Sequence, residues 1–324
     1  MSSKRTFSKV AISIPEQIEL LKSRGLEIPS EEKAQKFLSV VSYYRLSAYS
    51  YYYEHKNNDK SRSHRFFEGI TFSDITALYT FDSKLRRLFW EAIEQIEIAF
   101  RTSLTYHLSL KYGSHWYLNN NLFLPKFNHD DFISKLKAES GFGKPDTDKK
   151  RLAGEDFINH YYTNYSVPEL PPSWMVTEII PLGRLSHLYS SLAKRVDQKP
   201  VAHDFGLDFN VFISWIRSLS YLRNLCAHYC RIWNRAYNIN KPANSKKLEI
   251  YFGSQNRIYS FFVICAFLQN KINPNTQWIE KVLGLLDQYS KIPRGSMGFY
   301  TGWKDEPVWE KLLNLDLKKF NNKI

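Results

Sequence analysis

The 324 residues include only three cysteines, Cys226, Cys230 and Cys265. They are too few and too clustered for a disulfide framework in a chain this long, and they fit a reducing compartment. No stretch reaches the roughly eighteen apolar residues that a membrane span requires. The opening MSSKRTFSKVAISIPEQ carries basic residues but lacks the apolar centre of a secretory signal. A cytoplasmic protein with no membrane partner is therefore expected. Alternation of apolar and polar residues, the mark of half-buried strands, is almost absent, and no repeat recurs at a solenoid period. A Walker-type loop, a dinucleotide fingerprint, a serine nucleophile elbow and a paired-carboxylate pattern are also missing, so no cofactor is expected.

What is present is ordinary in proportion and basic in balance. Hydrophobic residues make up 43% and charged residues 24%, within the range of folded rather than disordered chains. Lys and Arg number 45 against 32 Asp and Glu, for a formal net charge of +13. Such an excess favours polyanionic partners, nucleic acid before anionic membrane. The 22 Phe, 21 Tyr and 8 Trp offer many π-faces, some of which can stack on bases while most pack a core.

Helical spacing dominates the chain. Pro15 opens a first helix that Gly25 stops, and Ser30 can cap a second bearing Phe37, Leu38, Val41 and Tyr44. The polar run Asn57 to Arg65 reads as a loop. Ser73 opens a long helix to about Tyr112, closed by Gly113, with apolar residues at threes and fours and no Pro or Gly inside it. Residues 119–150 read as loops around one short helix. Helical patterns return at 155–162 and at 174–193, the latter split by Pro181 and Gly183. A second long run extends from Phe209 to about Arg235, followed by helices at 258–268 and 278–289. The expected fold is all-α, a helical bundle with two long core helices and additional N- and C-terminal helices. The expected division is an N-terminal helical segment at 1–72, a core at 73–292 and a tail at 293–324.

The second long run holds SYLRNLCAHYCRIWNR, residues 220–235, in which Arg223 and His228 are separated by four residues. With 17 Arg and 9 His in the chain, an Arg followed by His after four to six residues should occur about 1.4 times by chance. It occurs twice, the other match being Arg101 and His107 on the first long helix. Context separates the two, because Asn224 directly follows Arg223 and WNR follows the motif. Together with SYYRLSAY at 42–49, YTFDSKLRRLFWEAIEQIEIAFR at 79–101 and PPSWMVTEIIPLGRLSHLY at 171–189, this segment resembles the Abi-like (abortive infection) family, a branch of the HEPN superfamily. The resemblance runs from about Glu16 to about Leu268. It implies a helical HEPN-type protein of phage defence, of the toxin–antitoxin kind, that acts on RNA as an endoribonuclease without a metal. The alternative it leaves open is a non-catalytic module holding a small structured RNA.

The motif also has a physical reading. Asn224 and His228 are an i, i+4 pair on one helix face, whereas Arg223 lies about 140° from His228 and needs its length to reach the same place. His228 suits proton transfer near neutral pH, Arg223 suits a phosphate, and Asn224 can orient either. One histidine cannot serve both sides of an in-line displacement. A homodimer would supply the other half, or Arg101 and His107 would supply it within one chain, although Glu97 at i−4 offers Arg101 an ordinary salt bridge. Arg231 and Arg235 can extend the RNA contacts. So can the aromatic-rich Tyr43, Tyr44 and Arg45, and the basic run Lys149, Lys150 and Arg151; packing or solvated charge is the alternative for each. Cys226, His228 and Cys230 alternate like ligands but point in different directions along a helix, so no metal is expected.

Overall fold

The structure, a computed structural model, describes residues 8, 10–59, 62–143, 155–239, 241–246, 248–250, 252 and 256–309. The fold is all-α apart from one small hairpin. Backbone contacts divide the chain into two units, Met1–Leu85 with Leu285–Ile292, and Arg86–Gly284 with Pro293–Ile324.

In the first unit the helix starts follow local chemistry. Ser13 and Glu16 form a reciprocal capping box at the head of α1 (Ile14–Ser23), with Pro15 in its first turn. Ser30 and Ser42 cap α2 (Glu31–Val40) and α3 (Tyr43–Ser50) by accepting from the N–H groups of Lys33 and Arg45. The stretch expected to be a loop instead contributes a strand, β2 (Arg62–Phe66), antiparallel to β1 (Glu54–Lys56). Its polar residues hide the pairing in the sequence. Glu54 is 1% exposed and takes the Arg62 guanidinium from the facing strand, so a charge pair rather than an apolar stripe joins the two.

The long helix α4 (Phe72–Tyr112) begins in this unit and passes into the second. Thr71 and Asp74 cap it reciprocally, and Gly113, at φ +86°, ends it in a conformation other residues adopt at a cost.

The second unit is built around α11 (Ile258–Ile272), in which every residue from Ile258 to Gln269 is buried. A helix apolar on every side belongs at the centre of a bundle. The Gln269 side chain donates to the Ala92 carbonyl of α4 at 2.9 Å, and Trp278, at the start of α12 (Trp278–Gln288), donates from its indole to Leu88 at 2.7 Å. Around this centre run α5 (His129–Ser140), α6 (Asp156–Asn164), α7 (Ser173–Ile179), α8 (Leu182–Ser190), α9 (Arg195–Asp204) and α10 (Phe209–Ala227). Pro181 separates α7 from α8 as the spacing predicts. The helix α9 goes unread in the sequence because Pro200 stands inside it. Asp197 of α9, 2% exposed, accepts from Lys111 at 2.5 Å and from the Tyr112 hydroxyl at 2.9 Å, tying α9 to the end of α4.

Rings of four helical segments meet in this core. Phe100 of α4 packs edge-on against Tyr189 of α8 and Phe212 of α10, and Phe205, just after α9, stacks on Phe212 at 4.5 Å. Nearby, α8 and α10 approach so closely that a Cβ on Gly183 would stand 3.0 Å from the Ser220 hydroxyl oxygen. Gly183→Leu should therefore lower the unfolding free energy by about 1–3 kcal/mol, read as a lower urea midpoint. Gly183→Ala should change it less, since a helix-propensity gain of about 1 kcal/mol offsets the tight contact. An unchanged midpoint in Gly183→Leu would refute this packing.

Candidate functional site

The apolar face of α10, including Phe212, Trp215, Ile216, Leu219, Leu222 and Leu225, is buried. That burial turns Arg223 to the margin and leaves Asn224 and His228 exposed. Helical geometry carries through to His228, whose N–H donates to the Asn224 carbonyl at 3.0 Å. The helix itself stops at Ala227 and does not continue to Arg235 as its apolar spacing suggests. Tyr229 takes a left-handed φ of +55°. Its N–H donates to Cys226 at 3.1 Å and that of Cys230 donates to Leu225 at 2.9 Å, the paired bonds of a Schellman ending. Beyond the turn, Ile232 and Trp233 are fully buried and draw the chain back into the core. Arg86 secures the turn by donating to the Cys230 carbonyl at 3.4 Å.

Arg223 is one-third exposed and reaches across to α4. Its guanidinium carbon lies 5.2 Å from the ring centre of Trp90, within cation–π range. Its Nε stands 4.0 Å from Oε2 of Glu97. The other oxygen of that carboxylate, Oε1, accepts from Nη2 of Arg101. Two guanidinium groups from two helices thus face one carboxylate. Arg101 is 8% exposed, and its Nη1 is buried with no hydrogen-bond partner among the described residues.

Arg101 and His107 are not brought together. Six positions apart, they point about 120° away from each other around α4. His107 shares a hydrogen bond with Asp204 at 2.9 Å, and Asp204 also accepts from the Ser103 hydroxyl at 2.6 Å. His107 and Asp204 edge a separate cavity of about 510 Å³, also lined by Lys199, His203 and Phe209.

Arg231 and Arg235 follow the turn, both half-buried. Arg235 folds back, donating to the Arg231 carbonyl at 3.4 Å and the Tyr221 hydroxyl at 3.3 Å. In the first unit the Tyr43 hydroxyl accepts from Arg24 at 2.6 Å, while Tyr44, 87% exposed, and Arg45 face outward. Lys149, Lys150 and Arg151 lie outside the described residues. The three cysteines form no disulfide, and Cys226 and Cys265 are buried. Burial, reinforced by Cys226 nearby, holds the Cys265 thiol well above its ordinary range. Among the described residues, no three His, Cys, Asp or Glu side chains are grouped to hold a metal ion, and no helix is long and apolar enough to cross a membrane.

A family model described as Abi-like protein matches residues 36–234. The chain belongs to the Abi-like family. Neither a curated protein nor a solved structure matches it. The match begins ahead of α3, takes in all of α4, and closes just past the turn after α10, so the Glu97 cluster and His228 both fall within the part this Abi-like chain shares with its family. The helices α11 and α12, which come later in the chain, fall outside it.

Sequence reasoning reached Arg223, Asn224 and His228 but missed Trp90 and Tyr229, and it read Glu97 as a partner of Arg101 alone. Tyr229 carries a signal of another kind. An L-residue in the left-handed region costs about 1–2 kcal/mol, and glycine is the usual occupant of this position in a helix ending. Tyr229→Gly should therefore stabilise the protein by about 0.5–1 kcal/mol, after allowing for the greater freedom of glycine in the unfolded chain. A denaturation midpoint that stays put or falls in this variant would show that the turn holds no strain.

Proposed function

We propose that this Abi-like chain is an RNA-binding endoribonuclease of HEPN type, acting in abortive-infection defence, with Arg223, Asn224 and His228 as its reacting centre. The observation that carries the reading is the exposed imidazole of His228, one helical turn from an exposed Asn224, on the helix whose Arg223 reaches a bed formed by Trp90 and Glu97. Membership of the Abi-like family supports the defence role, and the +13 charge supports an RNA partner in the cytoplasm.

The chemistry calls on imidazoles, a guanidinium and an amide. An imidazole takes the proton of a ribose 2′-hydroxyl, whose oxygen bonds to the adjacent phosphorus. The bond from phosphorus to the 5′-oxygen breaks, and that oxygen receives a proton. The products are a 2′,3′-cyclic phosphate and a 5′-hydroxyl end. A guanidinium stabilises the charge gathering on the phosphoryl oxygens, and a side-chain amide orients the phosphate. The proton leaves on one side of phosphorus and arrives on the other, so one histidine per site is too few. A second copy of the chain, bringing its own His228, completes the set in this reading. His107 is a poor substitute because its Nε2 already bonds to Asp204.

In EDTA the purified protein should cleave labelled single-stranded RNA to cyclic-phosphate ends. His228→Ala and Arg223→Ala should each lower the rate by about 10²–10⁴-fold while the melting temperature stays near that of the parent. Bound but intact RNA would remove the nuclease and leave an RNA-holding module. Cleavage undiminished in His228→Ala would move the chemistry elsewhere.

A further inference from the structure

We infer that Arg101 and Arg223 together form a subsite for one RNA phosphodiester, and that Glu97 is its internal stand-in, giving up the two guanidinium groups when the phosphate arrives. This rests on the nuclease reading for the kind of ligand and on the coordinates for the place.

Three observations carry it. The first is the bare Nη1 of Arg101, in a side chain more than nine-tenths buried, with no partner among the described residues. Burying a cationic N–H without an acceptor is costly, and few groups in a folded chain are left so. The second is a shortage of acceptors. Two arginines present ten N–H donors between them, and among the described residues the only acidic group they share is Glu97, which bonds Arg101 through Oε1 but stands 4.0 Å from Arg223 Nε, beyond hydrogen-bond length. The third is the setting. Trp90 lies against the Arg223 guanidinium and is itself 39% exposed, and Ile98, next to Glu97, is 57% exposed, so the cluster sits at the rim of the unit and not in its centre.

A phosphodiester meets these needs better than the carboxylate does. Its two unbridged oxygens accept from two planar forks at once, and arginine forks match that geometry where lysine would not. Glu97 then acts by competition. It keeps the arginines ordered in the empty protein and opposes anions that bind weakly. Arg101 therefore belongs with Arg223 as a phosphate ligand and not with His107.

The probe is a fluorescent 2′-O-methyl RNA oligonucleotide, which lacks the attacking hydroxyl and cannot be cut, titrated by anisotropy against the full chain over a range of salt. Glu97→Gln keeps the side-chain shape and should bind about tenfold tighter, with a salt dependence steeper by about one ion. Arg101→Lys keeps a charge opposite Glu97 but removes the fork, and should bind about tenfold weaker. In the double variant the gain from Glu97→Gln should disappear. Glu97→Gln binding no more tightly than the parent, with melting unchanged, overturns the stand-in role. Should Glu97→Gln fail to fold, Arg101→Lys decides alone, and parental affinity in that variant overturns the subsite. Failure of the nuclease reading shows separately, as unmodified RNA left whole by the parent protein.

Discussion

A single carboxylate organises the functional margin of the second unit. Glu97 projects from α4 and faces guanidinium groups from two helices, one two-thirds buried and one almost wholly so. Buried arginines are tolerated only with a counter-charge, because each would otherwise lose its hydration with nothing in return. The position of Arg223 therefore depends on Glu97 and on the Trp90 ring beside it. Those two residues hold their places because α4 is clamped along its length, by Gln269 at Ala92, by Trp278 at Leu88 and by Asp197 at its far end. A cation at the rim is thus set by packing several turns away.

The same constraint explains why the site divides unequally between rigid and free parts. Arg223 and Arg101 are held from the helix side, whereas His228 stands just past the last helical residue, where the chain turns away through Tyr229. In the proposed nuclease, an imidazole that gives and receives protons gains from exposure, and a phosphate-binding arginine gains from being pre-ordered. The Schellman turn provides the first without loosening the second, since Ile232 and Trp233 anchor the chain immediately beyond it.

Much of this was legible in the sequence, for identifiable reasons. The long helix at 72–112 announces itself by uninterrupted spacing and a terminal glycine, and the α7–α8 break by Pro181. Arg223 and His228 stand out in the sequence as a motif. The hairpin was not, because its strands join through Glu54 and Arg62 and not through alternating apolar residues. The helix α9 was masked by Pro200, and the end of α10 was overrun because Ile232 and Trp233 prolong the apolar spacing while serving a different segment of core. Trp90 and the bridging role of Glu97 escaped for a deeper reason. Both depend on which residue of α10 lies opposite, a fact of tertiary register that no local pattern encodes.

The burial of α11 bears on how the chain is made. From Ile258 to Gln269 every residue is withdrawn from water, and IYSFFVICAFL is an apolar, aromatic-rich run that would associate with its own kind if left uncovered. Part of its cover comes earlier in the chain, from Ala92 on α4 and from Trp215 on α10, whose ring meets Phe267 edge-on, and part comes later, where Trp278 and Trp309 pack on Phe262 and Phe299 packs on Tyr259. A ribosome working from the N-terminus delivers the first part before the segment it covers, so the stickiest run of the protein emerges to find part of its receptacle already synthesised. A circular permutation that moved α11 to the front would keep every native contact and forfeit that protection.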